Sequence, residues 1–350
     1  MSGKIRQYFR DKKEDVQDYT GGSGVIGKFV LAVLVVYLLV TIVLGMYWSS
    51  EPDTFSVRDH TRTLANTMER EPVTGFATTA TMIRIAETLL DKPGGYISND
   101  IFPPGLWLAN MPNWECGALV QLRDLSRAMR KDISRSQSQS AEDPDLTIAE
   151  PQLHFDSESW AIPSTEAEYR RGINALKRYL NRLSDPAQAD AQFFARADNL
   201  GNWLADLETR LGSLSRTLSE SVGKASVSDA VANLDPDDPL SEDIGGEDVK
   251  TDWTRIDDVF YEARGSAWAL LHIFRAIEVD FRKVIVDKNA MASVKQIIIE
   301  LEGTQESMWS PVILNGSGFG LLANHSLTMA AYLSRANAAI SDMRDLLSRG

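Results

Sequence analysis

Cysteine is almost missing from this chain. Cys116 stands alone among 350 residues, so no intramolecular disulfide can form and the fold must rest on packing. A lone cysteine reads as a small buried hydrophobe rather than a nucleophile. Histidine is also scarce: His60, His154, His272 and His325 lie far apart, without ligand spacing, so no metal site is expected. Basic residues are in deficit, 36 Lys and Arg against 49 Asp and Glu, for a net charge of −13. That balance argues against a nucleic-acid partner, because gripping phosphates takes a basic surface.

Catalytic signatures are absent too. Asn315-Gly316-Ser317-Gly318-Phe319-Gly320 lacks both the Lys-Ser/Thr of a phosphate loop and the G-x-G-x-x-G of a dinucleotide fold, and reads as a helix-to-helix connection. No G-x-S-x-G elbow occurs, and no Cys/His pair stands out by spacing. Carboxylates are plentiful, yet spacing nominates no pair for acid–base work. The expectation is therefore a protein that is not an enzyme and that uses no cofactor.

What is present begins with a long apolar run. Phe29 to Tyr47 reads FVLAVLVVYLLVTIVLGMY without a charge. As a helix rising 1.5 Å per residue it covers roughly the 30 Å hydrocarbon core of a bilayer. Lys28 bounds it on one side and Tyr47 and Trp48 on the other, as a snorkelling base and interfacial aromatics would. A cleaved signal peptide would need a shorter core and a small-x-small site, for which Gly45-Met46-Tyr47-Trp48 is a poor match. The chain thus divides into a tail (1–27), a single-pass anchor (28–48) and a large remainder. Six bases and four acids precede Phe29, so the net charge of −13 becomes −15 beyond them. The excess of positive residues before the anchor places the tail in the cytoplasm.

Beyond the anchor the pattern is helical, and the expected class is all-α: an elongated helical bundle carried on one transmembrane helix. Val57, Leu64 and Met68 mark a first helix, Phe76, Ile83, Leu89 and Leu90 a second, and Leu119 to Ile133 a third, together a membrane-proximal unit over 49–133. Residues 134–164 read as a linker with a short strand at Leu153 to Phe155. Thr165 and Glu168 suggest a capping box opening a helix to Leu183, the start of a long-helix bundle over 165–350. Two long stripes follow, Phe193 to Leu218 and Trp253 to Val284, each alternating steps of three and four. Such a repeat predicts helices lying alongside one another at a shallow angle. A final stripe, Met329 to Leu347, completes the bundle, and Trp268 falls off its own stripe as a second packing surface or a partner contact. The acidic stretch 224–250 reads as a linker, lacking the alternating oxygens and central glycine of a calcium loop.

The segment 93–115, PGGYISNDIFPPGLWLANMPNWE, is the most unusual string. Its aromatics and amides must either pack onto the bundle or present a recognition surface suited to a peptide, a glycan or a lipid headgroup. The candidate binding residues are Tyr96, Asn99, Asp100, Trp107, Asn110, Trp114 and Glu115.

The charged tail, the anchor and the strings KPGGYISND, PPGLWLANMPNWE and LVQLRDLSRAMRKDISRSQSQS together resemble a family of uncharacterised proteobacterial inner-membrane proteins, defined as domain of unknown function 2333. The resemblance covers nearly the whole chain. It implies a single-pass protein of the bacterial inner membrane with its bulk in the periplasm, and it supplies no catalytic or binding residues. The expected function is a non-enzymatic envelope protein that binds or spaces another envelope component, with homo-oligomers allowed by the same seams. The alternatives are a periplasmic ligand-sensing domain acting through a partner and a cell-envelope-modifying enzyme using carboxylates around Asp100 to Glu115.

Overall fold

The computed structural model describes residues 24–135, 141–188, 190–221, 255–308, 310, 312–316 and 322–349. The N-terminal tail, the acidic stretch 224–250 and most of the glycine run at 315–320 lie outside them. Among the described residues the structure is helical without strands; an isolated antiparallel bridge joins Asn315 to Asn324.

Helix α1 runs from Gly24 to Trp48 and is apolar on every side, long enough to cross a membrane. Its side chains are almost all exposed, Thr41 and Gly45 being the buried pair on one face. Helices α2 (Val57–Thr67), α3 (Phe76–Asp91) and α4 (Asn110–Ala128) follow, α4 ending in a π turn over Met129–Ile133. Next come α5 (Leu146–Leu153), α6 (Thr165–Leu183) and α7 (Ala197–Ser221). The last four are α8 (Ile256–Asp280), α9 (Arg282–Asp287), α10 (Met291–Gly303) and α11 (His325–Ser348).

Helix α8 is the axis of the domain. Every residue from Ala263 to Phe274 is buried, the signature of a helix enclosed by neighbours rather than one side of a seam. Its most intimate partner is α4, while α3, α10, α7 and α11 surround the rest. The α4–α8 crossing is drawn tight by paired glycines. A Cβ on Gly117 would stand 2.0 Å from the Glu262 carbonyl oxygen, and one on Gly265 would stand 2.0 Å from that of Trp114. The Ser266 hydroxyl donates to the Gly117 carbonyl (3.1 Å) across the same contact.

Several expectations need correction here. The two regular helices do not form one seam: α7 packs chiefly along α11, touching α8 where Trp203 meets Phe274 at 5.5 Å between ring centroids. The stripe ending at Val284 crosses a break at Phe281, after which α9 starts afresh. The stretches 49–133 and 165–350 share one core, since α8 belongs to the second and packs most closely on α4 of the first. Within the expected linker 134–164, Leu153 ends helix α5 instead of starting a strand, and α5 packs on α6. The cap of α6 is Ser164, whose oxygen accepts from the Ala167 amide; the Thr165 hydroxyl instead donates to the carbonyls of Asp156 and Ser159. Cys116 is exposed rather than a core hydrophobe, whereas Trp268 is buried, in keeping with the packing-surface reading of it.

Candidate functional site

The segment joining α3 to α4 turns back at Lys92-Pro93-Gly94-Gly95 beside the end of α1. Gly94 is in the left-handed region (φ 85°), and the Trp48 ring occupies the space where a side chain would stand. The segment then splits into an inner and an outer half.

Glu115 organises the inner half. Its carboxylate is fully buried, paired with the Lys92 ammonium at 2.5 Å. It also accepts from the backbone amides of Ile97 (2.9 Å) and Ser98 (2.8 Å) and from the Ser98 hydroxyl. Lys92 donates further to the Gly95 carbonyl (2.6 Å). The pair therefore clamps the start of the segment to α4, with little carboxylate oxygen left for chemistry. Tyr96 is buried edge-on to Tyr169, ring centroids 5.5 Å apart, and burial drives its phenol pKa far upward. The Asn99 side chain donates to the Ser159 carbonyl (3.0 Å) and to Glu166 (3.1 Å). Trp114 is buried against Trp268, ring centroids 5.1 Å apart, and Asn110 reaches the Tyr261 hydroxyl.

The outer half is Ile101 to Leu108, wrapped around a single 3-10 turn at Gly105–Trp107. Trp107 is 57% exposed and Phe102 71%. Asp100 sits at the divide; partial burial, then the nearby Glu115 and Glu166 charges, raise its carboxyl pKa. With Trp48, Ile101, Phe102, Trp160 and Glu166 it lines a cleft of about 240 Å³ at the foot of α1. The seven candidate residues thus do not converge on one surface. Tyr96, Trp114 and Glu115 belong to the core, Asn110 to the start of α4, Asn99 and Asp100 to the wall of the cleft and Trp107 to solvent.

Spacing missed the residues that complete this region. Lys92 was not paired with Glu115, and Trp160 lay in a stretch read as linker. Also unforeseen is how firmly the chain leaving α1 is attached. Glu51 pairs with Arg264 (2.6 Å), the Trp268 indole donates to the Asp53 carbonyl (3.4 Å), and the Phe55 amide donates to His272 Nε2 (2.9 Å). The Phe55 ring stacks on His272 at 3.9 Å. Nδ1 of that imidazole faces the Trp268 carbonyl (2.7 Å), so both contacts call for the neutral ring, and burial lowers its pKa to about 3.

A family model described as an uncharacterised protein conserved in bacteria (DUF2333) matches residues 23–350, from just before helix α1 to the last residue of the sequence. The chain belongs to that family. No curated protein and no solved structure matches it. In this member of the family, a second concave feature lies on the far side of Arg264. A cleft of about 520 Å³ between α8, α10 and α11 is lined by Phe260, Arg264, Met308, Leu314, His325 and Tyr332. Arg264 donates to the Thr304 carbonyl (2.7 Å) at its wall while holding Glu51 on the other side.

Proposed function

We propose that this protein is a non-enzymatic, single-pass component of the bacterial inner membrane, N-terminus in the cytoplasm and helical domain in the periplasm. There it binds or spaces another envelope component. The observation that carries this reading is the junction between α1 and the domain. Residues 51–55 are stitched along α8, and Pro104 and Leu108 lie against Gly45. A domain fixed rigidly to its anchor suits a spacer or docking platform better than a module reaching out on a free tether. The positive tail and the −15 charge of the remainder fit the orientation.

Cys116, single and exposed, tests that orientation directly. In intact spheroplasts a membrane-impermeant maleimide should label it; labelling that requires lysis would reverse the topology. Gentle solubilisation followed by affinity purification should recover the same envelope protein repeatedly, and failure to do so would remove the binding role.

A second reading, ligand sensing through a partner, draws on the larger cleft, whose volume falls in the range of small-molecule sites. Arg264 would couple its occupancy to Glu51 and so to the anchor. An envelope metabolite that raises the melting temperature of the wild type but not of Tyr332→Ala would favour it. The enzyme reading is the weakest, because Glu115 is held by Lys92 and two backbone amides.

A further inference from the structure

Two loops at the foot of α1 carry large apolar side chains that the core leaves outside. Ile101, Phe102, Leu106 and Trp107 project from one and Trp160 and Ile162 from the other, each at least 41% exposed. Outside α1, Phe102, Trp107 and Trp160 are the exposed large aromatics among the described residues, and all three fall here. Phe102 and Trp160 line the same cleft as Trp48, the last residue of α1, so the two loops and the anchor's end form one surface. Ile101 to Ala109 and Trp160 to Ser164 hold no ionisable side chain, within a domain whose net charge is −15. Asp100 and Glu166 line the cleft between the two loops, but the projecting side chains come from uncharged segments, and such an apolar patch is what a bilayer surface would accept from an otherwise repelled domain.

Depth decides what covers this patch. Pro104 and Leu108 lie 3.5 and 3.8 Å from the position a Gly45 Cβ would take. Gly45 falls two residues before Tyr47, the end of the apolar run, which is about 3 Å along a helix axis. A loop held at that level sits where a span leaves the hydrocarbon, the zone that exposed tryptophan and phenylalanine favour.

We infer that Ile101, Phe102, Leu106, Trp107, Trp160 and Ile162 form a second membrane contact, immersed at the headgroup–acyl boundary of the leaflet into which α1 emerges. The inference rests on reading α1 as a membrane span. It makes the outer half of the 93–115 segment a lipid-facing foot that fixes the tilt of the domain on its anchor.

The test uses full-length protein with Cys116→Ser and one new cysteine at a time: Phe102→Cys, Leu106→Cys, Leu34→Cys within α1, or Val286→Cys on the exposed face of α9. Each carries an environment-sensitive fluorophore and is reconstituted into phosphatidylethanolamine–phosphatidylglycerol vesicles containing nitroxide-labelled lipid. The expected result is a blue shift and loss of most emission at positions 102, 106 and 34, with position 286 unaffected. Quenching at 34 but not at 102 or 106 would overturn the foot and leave the span standing. No quenching anywhere would remove the span and the foot together. Quenching at 286 as strongly as at 106 would mean lipid adsorption without a defined face, and would also overturn it. Self-quenching at 106 that grows with protein density, without lipid quenching, would assign the patch to a second copy of the chain instead.

Discussion

The inner and outer parts of the stretch 92–115, which runs from the end of α3 into the first turns of α4, have similar compositions and opposite fates. Both are rich in aromatics, proline and glycine, yet Tyr96 and Trp114 are buried while Phe102 and Trp107 stand in the open. The difference lies in the polar residues beside them. The inner half has Lys92 and Glu115, whose charges must be paired if they are buried at all, and the pairing draws Ile97 and Ser98 in with it. The outer half has no polar group to anchor it inward, and its prolines cannot donate to a backbone ladder. An aromatic-rich loop therefore becomes core or surface according to whether a buried charge beside it needs backbone partners.

The comparison breaks most readily at Glu115. Glu115→Ala leaves the buried Lys92 ammonium without its counter-charge and two amides without a partner, at an expected cost of about 3–5 kcal/mol in denaturant unfolding. Replacing both residues, Lys92→Met with Glu115→Leu, should recover most of that loss. A Glu115→Ala protein as stable as wild type would mean that the inner half does not depend on the pair. Next in size is the crossing beneath it. Gly117→Ala or Gly265→Ala places a methyl group 2.0 Å from a backbone oxygen of the facing helix, so α4 and α8 must separate. We expect each to cost about 1–3 kcal/mol, read as a lowered melting temperature.

The chain that follows α1 gives an effect that is spread over pH. Folded His272 stays neutral to about pH 3, whereas the unfolded residue titrates near 6.5. Between those values the unfolded chain binds more protons, so stability falls as pH falls, by up to about 1.4 kcal/mol per unit from this group. Asp100 and Asp280 have raised pKa values, both chiefly through burial, and act in the opposite sense. Comparing wild type with His272→Gln isolates the imidazole: the variant's stability should decline less steeply from about pH 6.5 to about pH 3. Equal slopes would mean that burial does not hold the ring neutral in the folded protein.

How much of this was legible in sequence follows from which signals are local. The long apolar helix α1, the all-helical class and the regular stripes were, because composition and periodicity are properties of neighbouring residues. Helix α10 was not singled out, although Val294, Ile297 and Leu301 are its buried face; the adjoining Ile298 and Ile299 blur the stripe. The α4–α8 crossing was hidden because Gly117 and Gly265 read as weak helix formers until their facing backbones are seen. Stripe regularity also misled: α8 repeats as cleanly as a coiled-coil helix, but its flanking residues are buried too, so it became an axis with several neighbours. At the candidate site, the sequence drew attention to the segment 93–115 without showing where it divides. That division depends on Lys92 meeting Glu115, and on Trp160 and Trp48 closing the cleft, contacts made across the chain.

The smallest expected effect sharpens the comparison most. Phe102→Ser, Leu106→Ser and Trp107→Ser each remove a large apolar side chain, the change that costs several kcal/mol in a core. Because these side chains are 71%, 60% and 57% exposed, the loss in detergent solution should stay within about 0.5 kcal/mol, as for other surface substitutions. Trp114→Ser, at 0% exposure in the same segment, provides the contrast and should be far less stable than any of the three. A large loss at Phe102 or Leu106 would mean that the outer half packs after all and leaves nothing for lipid to cover. If folding is unmoved, these variants keep the anchor and lose only the foot. Any change they cause in domain tilt, read by spin-label distances from α9 to the bilayer surface, would then belong to the membrane contact rather than to the fold.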